Sequence, residues 1–463
     1  MRRGSTFEVN MLEGSVSKNI LLFALPLIAT NILQFIYSAA DMIVLGQFAG
    51  INALAAVGAT GSTYHIIVNL FIGLATGVAV VVAQQVGADD RKALSDTVHT
   101  AAVVSVIVGV FVCIIGIFIS PIILTAIGTP QEVLSDAVLY LRIMFLGVPA
   151  LVIYNFGASI LRSVGDSRRP FYYLSFSGAL NVVLNLFFVL VFKMSVDGVA
   201  LATIISQYSS AVLVWTHLMR TGECYYFHIK EARIVKKQLW DIVRIGLPTG
   251  AQSALFSISN LLIQSAINEF GTNYIAASTA SNNVENICYT AMAAMGQAVL
   301  VFCGQNIGAR NIKRVKTVFI RSLLLTAGVG IIISGVCLLF NEFFLSLFTP
   351  DATVIKIGVE RLLIITPFYF ICGLYECASG ACRSTGYSLS PMLGALFGIC
   401  IFRVIWVYTV FSWSHTFQTL VSVYPVSWFV TFLILTVMFA VFYKILKKKF
   451  AAEAAEKSLK EEI

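Results

Sequence analysis

Charged side chains are scarce. Asp, Glu, Lys and Arg make up 12% of the 463 residues, where an average soluble domain has about a quarter. So little charge cannot cover the surface of a soluble protein this size, which argues against a cytosolic enzyme, a disordered chain or a nucleic-acid binder. Hydrophobic residues reach 58% and the mean hydropathy is +0.87, the composition of a polytopic membrane protein. Catalytic signatures are also missing. There is no GxxxxGK[ST] phosphate loop, so this chain is not expected to hydrolyse ATP, and there is no HExxH or GxSxG element. No enzyme activity, metal beyond sodium or cofactor is expected. Eight of the nine Cys fall in apolar runs and Cys224 in a basic linker, which is no disulfide framework or zinc site. The five His are scattered without ligand spacing.

What is present is long apolar runs. A membrane helix takes about 20 apolar residues, and long unbroken runs favour helices over the alternating strands of a barrel. Windows near 18–42, 53–86, 97–119, 135–161, 171–192 and 198–219 are followed, after a linker, by 240–267, 275–307, 317–340, 354–380, 389–411 and 423–446. The polar leader with Arg2, Arg3 and Lys18 reads as cytoplasmic rather than as a cleavable signal. With the N-terminus inside, 26 of the 31 Lys and Arg fall on the cytoplasmic side. Lys193 and Lys356 fall outside, and Arg142, Arg361 and Arg403 lie within spans. That asymmetry places both termini in the cytoplasm.

The chain repeats itself. Leu25-Pro26 matches Leu247-Pro248, and Gln84-Gln85-Val86-Gly87-Ala88 matches Gln305-Asn306-Ile307-Gly308-Ala309. Thr129-Pro130 matches Thr349-Pro350, and RSVGDSRRP at 162–170 matches RSTGYSLSP at 383–391. Six spans per repeat make the repeats parallel, the arrangement of transporters in which one lobe rocks against the other. The expectation is an all-α membrane protein of twelve transmembrane helices in two pseudo-symmetric six-helix lobes. Residues 1–219 form the first lobe, 220–239 a cytoplasmic linker, 240–446 the second lobe and 447–463 a charged cytoplasmic tail.

Asp41 lies in the outer part of the first span. A carboxylate there costs about 2.5–3.5 kcal/mol on the insertion scale and marks a functional site by default. Low dielectric favours the neutral form of such a group and a bound cation the charged form. Asp41 is therefore a proton or sodium site, or an interfacial carboxylate that snorkels outward. Asn181 and Asn185 share a face of the fifth span. Their amide oxygens suit sodium or serve as interhelical glue. Pro26 and Pro248 are candidate helix hinges. Gln34, Tyr37, Glu285 and Glu376 are candidates for substrate contact or gating. Glu285 has no cation in its own helix and is read as binding a cationic substrate or a proton, or as hydrogen-bonding in the neutral acid form. Glu376, two turns before Arg383, reads first as half of a structural pair. Arg142 and Arg361, at equivalent outer positions of the two lobes, read as structural.

These residues resemble the multidrug and toxic compound extrusion (MATE) family over about residues 15–446. The carriers are the early Leu-Pro, DMIVLGQFAG at 41–50, GQNIGA at 304–309, NVVLNLFFV at 181–189 and the repeated RSxGxSxxP. Within the family the likeness is to bacterial DinF-like and MepA-like members. It implies an antiporter of the bacterial plasma membrane that exports cationic amphipathic drugs in exchange for protons or sodium; membrane lipids but no nucleic acid are expected as partners, and two complete lobes in one chain call for no second copy, so a monomer is expected. It also implies a cation site of Asp41, Asn181, Asn185 and Thr203, and bending at Pro26. Several relatives carry aspartate where this chain has Asn185, so the site here holds one formal charge. QSALFSISN at 252–260 has no acid, so the second-lobe sodium site of NorM-like members is not expected. A lipid-linked oligosaccharide flippase of related architecture is the first alternative. It calls for a strongly cationic cavity, whereas Arg142, Arg361 and Arg403 face Asp41, Glu285 and Glu376. A non-transporting scaffold is the second, and dye sensitivity of a deletion strain separates it.

Overall fold

The computed structural model describes residues 7–49 and 51–461. Arg2, Arg3 and Gly50 lie outside them, as do the side chains of Gln47, His65, Lys457 and Lys460. Among the described residues there are helices and no strands, as lipid requires of a chain that must satisfy its backbone internally. Twelve long helices follow in order: α1 (Val16–Val44), α2 (Ile51–Gly87), α3 (Arg91–Ala126), α4 (Gln131–Ser163), α5 (Arg168–Leu186) and α6 (Val196–Arg220). The second series is α7 (Lys236–Asn268), α8 (Thr272–Gly308), α9 (Ile312–Leu339), α10 (Ala352–Ser384), α11 (Leu389–Trp413) and α12 (Phe417–Glu456). Eleven have the length and apolarity of a membrane span. The exception, α7, is 33 residues long but carries Gln252, Ser253, Ser257, Ser259, Asn260 and Gln264. The chain is a multi-pass membrane protein of the expected class. The region taken as a tail continues α12 as helix to Glu461.

Two of the repeated motifs are repeated turns. In RSVG and RSTG, Gly165 and Gly386 have φ of +105° and +88°, a backbone that disfavours any side chain. After QQVGA and QNIGA, Asp89 and Arg310 stand at φ +50° and +56°. The next residue caps a helix: Asp90 accepts from the Ala93 amide at 3.0 Å and Asn311 from that of Arg314 at 3.2 Å.

By packing, the chain divides into two compact units. One holds the residues up to Val9 and Ala29–Ser253; the other holds Asn10–Ile28 and Ala254–Ile463. The division differs from the sequence repeat in two places. The first half of α1 belongs to the second unit and the first half of α7 to the first. Pro26 lies just before the crossing in α1, and Pro248 just before that in α7. Glycine permits the close approach in the first unit: a Cβ on Gly77 would fall 2.2 Å from the Ile242 carbonyl oxygen, and one on Gly250 2.0 Å from that of Leu70. In the second unit Phe23 meets Phe302 edge to face at 5.7 Å.

The leader from Phe7 onward is tied down by hydrogen bonds. Its Val9 amide donates to the Gly165 carbonyl at 3.1 Å, and Tyr225 donates to the Glu8 carboxylate at 2.9 Å, both within the first unit. In the second, the Met11 carbonyl accepts from Asn306 and from Arg314, each at 3.1 Å. The QNIGA motif therefore holds the segment that enters α1.

Candidate functional site

The site is built in the first unit by α1, α5 and α6. Tyr37 fixes α1 on α5: its hydroxyl donates to the Ser175 carbonyl at 3.2 Å, and its ring packs against Gly178, where any Cβ would collide with it. Asp41, one turn further on, thereby faces α5. Ser177 joins α5 to α6 by donating to the Ser206 carbonyl at 2.5 Å.

Four residues expected to form a site meet here. The Asn185 amide donates to Asp41 Oδ1, and Thr203 Oγ1 lies 3.4 Å from Asp41 Oδ2. Asn181 donates to Thr203 at 3.3 Å, and its Oδ1 lies 3.4 Å from Asn185 Nδ2. Asn181 and Asn185 are 5% and 0% exposed. Asn185 Oδ1 is buried without a hydrogen-bond partner among the described residues, so one hard oxygen is available to a cation. No ion pair among the described residues includes Asp41. The cluster thus presents carboxylate, amide and hydroxyl oxygens around a single formal negative charge. This ligand set fits a proton or an oxygen-seeking monovalent cation.

Two features of the site were not anticipated. The helix widens to π turns at Leu45–Ala49, just after Asp41, and at Phe187–Val191, just after Asn185, and these turns contact each other. Such bulges inside helices are frequent at functional sites. Tyr140 of α4 also lies within electrostatic reach of Asp41 and Tyr64. Its place in an apolar run carries no sign of this.

The other candidates lie elsewhere. Gln34 is exposed on α1. Glu285 is not a free acid. Arg361, 76 residues away in α10, meets it with Nε–Oε1 at 2.8 Å and Nη2–Oε2 at 3.2 Å. This bidentate pair gives the acid a cationic partner from a neighbouring helix, where periodicity along α8 could not show it. Glu376 is partly buried, within electrostatic reach of Tyr289 and Arg383. Arg142 donates to the Ile117 carbonyl at 3.3 Å. The described residues hold no cluster of three or more His, Cys, Asp or Glu suited to a metal.

The MatE family profile matches twice, over residues 26–187 and 248–409, two blocks at the spacing of the internal repeat. The chain is 29% identical over 393 residues to the probable multidrug resistance protein YoeA of Bacillus subtilis (strain 168), covering 83% of this chain and 85% of the relative. It is 26% identical to the probable multidrug resistance protein NorM of Thermotoga maritima (strain ATCC 43589 / DSM 3109 / JCM 10099 / NBRC 100826 / MSB8), covering 82% of each. The fold superposes on a multidrug resistance MATE family transporter of the MOP superfamily in its outward-facing conformation. The TM-score is 0.89 at 22% identity, over 96% of this chain and 100% of that one. These proteins are transporters, not enzymes. The doubled profile match covers well over half of the sequence, and the chain belongs to the MatE family, the multidrug and toxic compound extrusion transporters.

Proposed function

We propose that this protein is a secondary active antiporter of the bacterial plasma membrane that exports cationic amphipathic compounds in exchange for protons or sodium. The observation that carries the reading is Asp41, a single carboxylate held in a membrane helix by neutral amide and hydroxyl groups, with no cationic side chain paired to it among the described residues. Such a charge is tolerated where an ion comes and goes. Asp41 binds the coupling ion, Asn181, Asn185 and Thr203 complete its shell, and Pro26 and Pro248 let α1 and α7 bend. A gradient drives export because the inward- and outward-facing forms differ in their affinity for that ion.

The lobes 1–219 and 240–446, joined by 220–239 and followed by the cytoplasmic tail 447–463, are the parts that move. Both termini are cytoplasmic, as the Lys and Arg asymmetry supports. One chain carries both lobes and acts as a monomer. No cofactor takes part, and the ion gradient supplies the energy.

The test is ethidium-driven ion exchange in proteoliposomes, reading internal pH with and without sodium, for wild type and Asp41→Asn. Proton movement that is independent of sodium and lost in the variant supports proton antiport through Asp41. A strict sodium requirement makes sodium the coupling ion. Unchanged pH coupling in Asp41→Asn removes Asp41 from the mechanism.

A further inference from the structure

The second unit buries a charge of the opposite sign. Arg361 and Arg403 are 0% and 2% exposed. Both guanidiniums lie over the ring of Tyr424, at 5.3 and 4.6 Å from its centroid. Arg361 is balanced by Glu285. Arg403 is not: Nε donates to Ser427 Oγ at 3.2 Å and Nη1 to Asn260 Oδ1 at 2.7 Å, and no ion pair among the described residues includes it. Two guanidiniums and one carboxylate leave the cluster with one positive charge. Arg361 Nη1 is buried without a hydrogen-bond partner among the described residues.

This charge reaches the surface through amides. Arg361 Nη2 donates to Asn282 Oδ1 at 2.7 Å, as Arg403 does to Asn260. Both asparagines are exposed. Each amide turns its oxygen to a guanidinium, so its NH2 is free to face outward, polarised by the cation behind it. The first unit offers acceptors around a negative charge; here the surface offers donors backed by a positive one. A buried, unbalanced guanidinium in a membrane helix is costly, and an incoming anion would offset that cost.

We propose that Asn260 and Asn282, backed by Arg403 and Arg361, form an anion-receiving site on the second unit, which takes the carboxylate or phosphate group of an amphipathic molecule. The identification of that molecule as an exported zwitterion rests on the export reading; the binding site itself does not.

The probe is ciprofloxacin, a zwitterion with a free carboxylate, against its methyl ester, a cation of nearly the same shape. Fluorescence anisotropy would measure both on the full-length protein in phosphatidylcholine nanodiscs, with ethidium as a cation lacking a carboxylate. Asp41 alone would favour the ester. The site described here favours the acid, by about tenfold for a charge-assisted hydrogen bond or two. Asn260→Leu/Asn282→Leu keeps both guanidiniums and should erase the preference for the acid while leaving ethidium binding unchanged. Arg403→Gln, if it folds, should do the same. Loss of the preference in phosphatidylglycerol nanodiscs would support the site and assign a lipid phosphate as its usual occupant. Equal affinity for acid and ester in wild type, or equal loss of acid and ethidium in the asparagine variant, would overturn it. Ethidium-driven ion exchange by that variant reads the export function separately.

Discussion

Arg361 and Glu285 are joined by two hydrogen bonds in the interior of a membrane unit, Arg361 wholly buried and Glu285 nearly so. Neither charge can be removed alone without stranding the other. Glu285→Gln should lower stability by about 3–5 kcal/mol, and Glu285→Gln/Arg361→Gln should recover much of the loss. Thermal unfolding of the purified protein checks this, and a double variant no better than the single one would refute the coupling.

Around Asp41 the shell residues are unequal. Asn185 donates directly, whereas Thr203 stands 3.4 Å away, a long contact for a hydroxyl. Asn185→Leu should slow ethidium efflux by roughly tenfold, the value of a hydrogen bond to a charged group. Thr203→Val should slow it by much less. Ethidium uptake into energised, everted vesicles, where outward transport runs into the lumen, measures both, and the reverse order would contradict the geometry.

The leader carries a pH dependence outside the membrane. Burial raises the Glu8 carboxyl above its ordinary 4.5, against the opposing hydrogen bond from Tyr225, and the nearby Glu223 and Asp166 add to the rise. An acid raised in the folded state holds more protons there than in the released chain. Its contribution is complete below the unfolded value and is lost as pH rises through the folded one. The leader should therefore be held more firmly at pH 4 than at pH 7. Hydrogen exchange of the Val9 amide should show this in wild type, with the difference abolished in Glu8→Gln.

The approach of α2 and α7 leaves no room at Gly77, where a Cβ would strike the Ile242 carbonyl. Gly77→Val should cost about 1–3 kcal/mol, the usual penalty of overpacking. Gly58→Ala, with nothing within 4 Å of the added carbon, serves as the control. Melting temperatures of the two variants that coincide would show that the contact yields.

The helices and the Asp41 cluster were legible because their signals run along single elements: apolar length for the spans, a four-residue spacing for Asn181 and Asn185, an acid in an apolar run for Asp41. The repeat was legible in part because two of its motifs are turns whose backbone constrains residue type, as at Gly165 and Gly386. What was hidden depends on partners in other helices. Nothing near Glu285 announces Arg361, and nothing in the sequence of α5 announces that its hydrogen-bond ladder widens after Leu186. Nor does a polar leader reveal that Met11 is buried to 1% exposure by partners some 300 residues away.

The packing of α1 and α7 bears on how such a chain came to exist. Residues 240–253, from the second repeat, sit in the first unit, and residues 10–28, from the first repeat, sit in the second. Each repeat lends the other half a helix, as the two copies in a domain-swapped dimer do. A product ending at the linker would retain the half-helix meant for the other unit and lack the one its own unit needs. Two such fragments would have to find each other to fold, and fusion into one chain makes that exchange intramolecular.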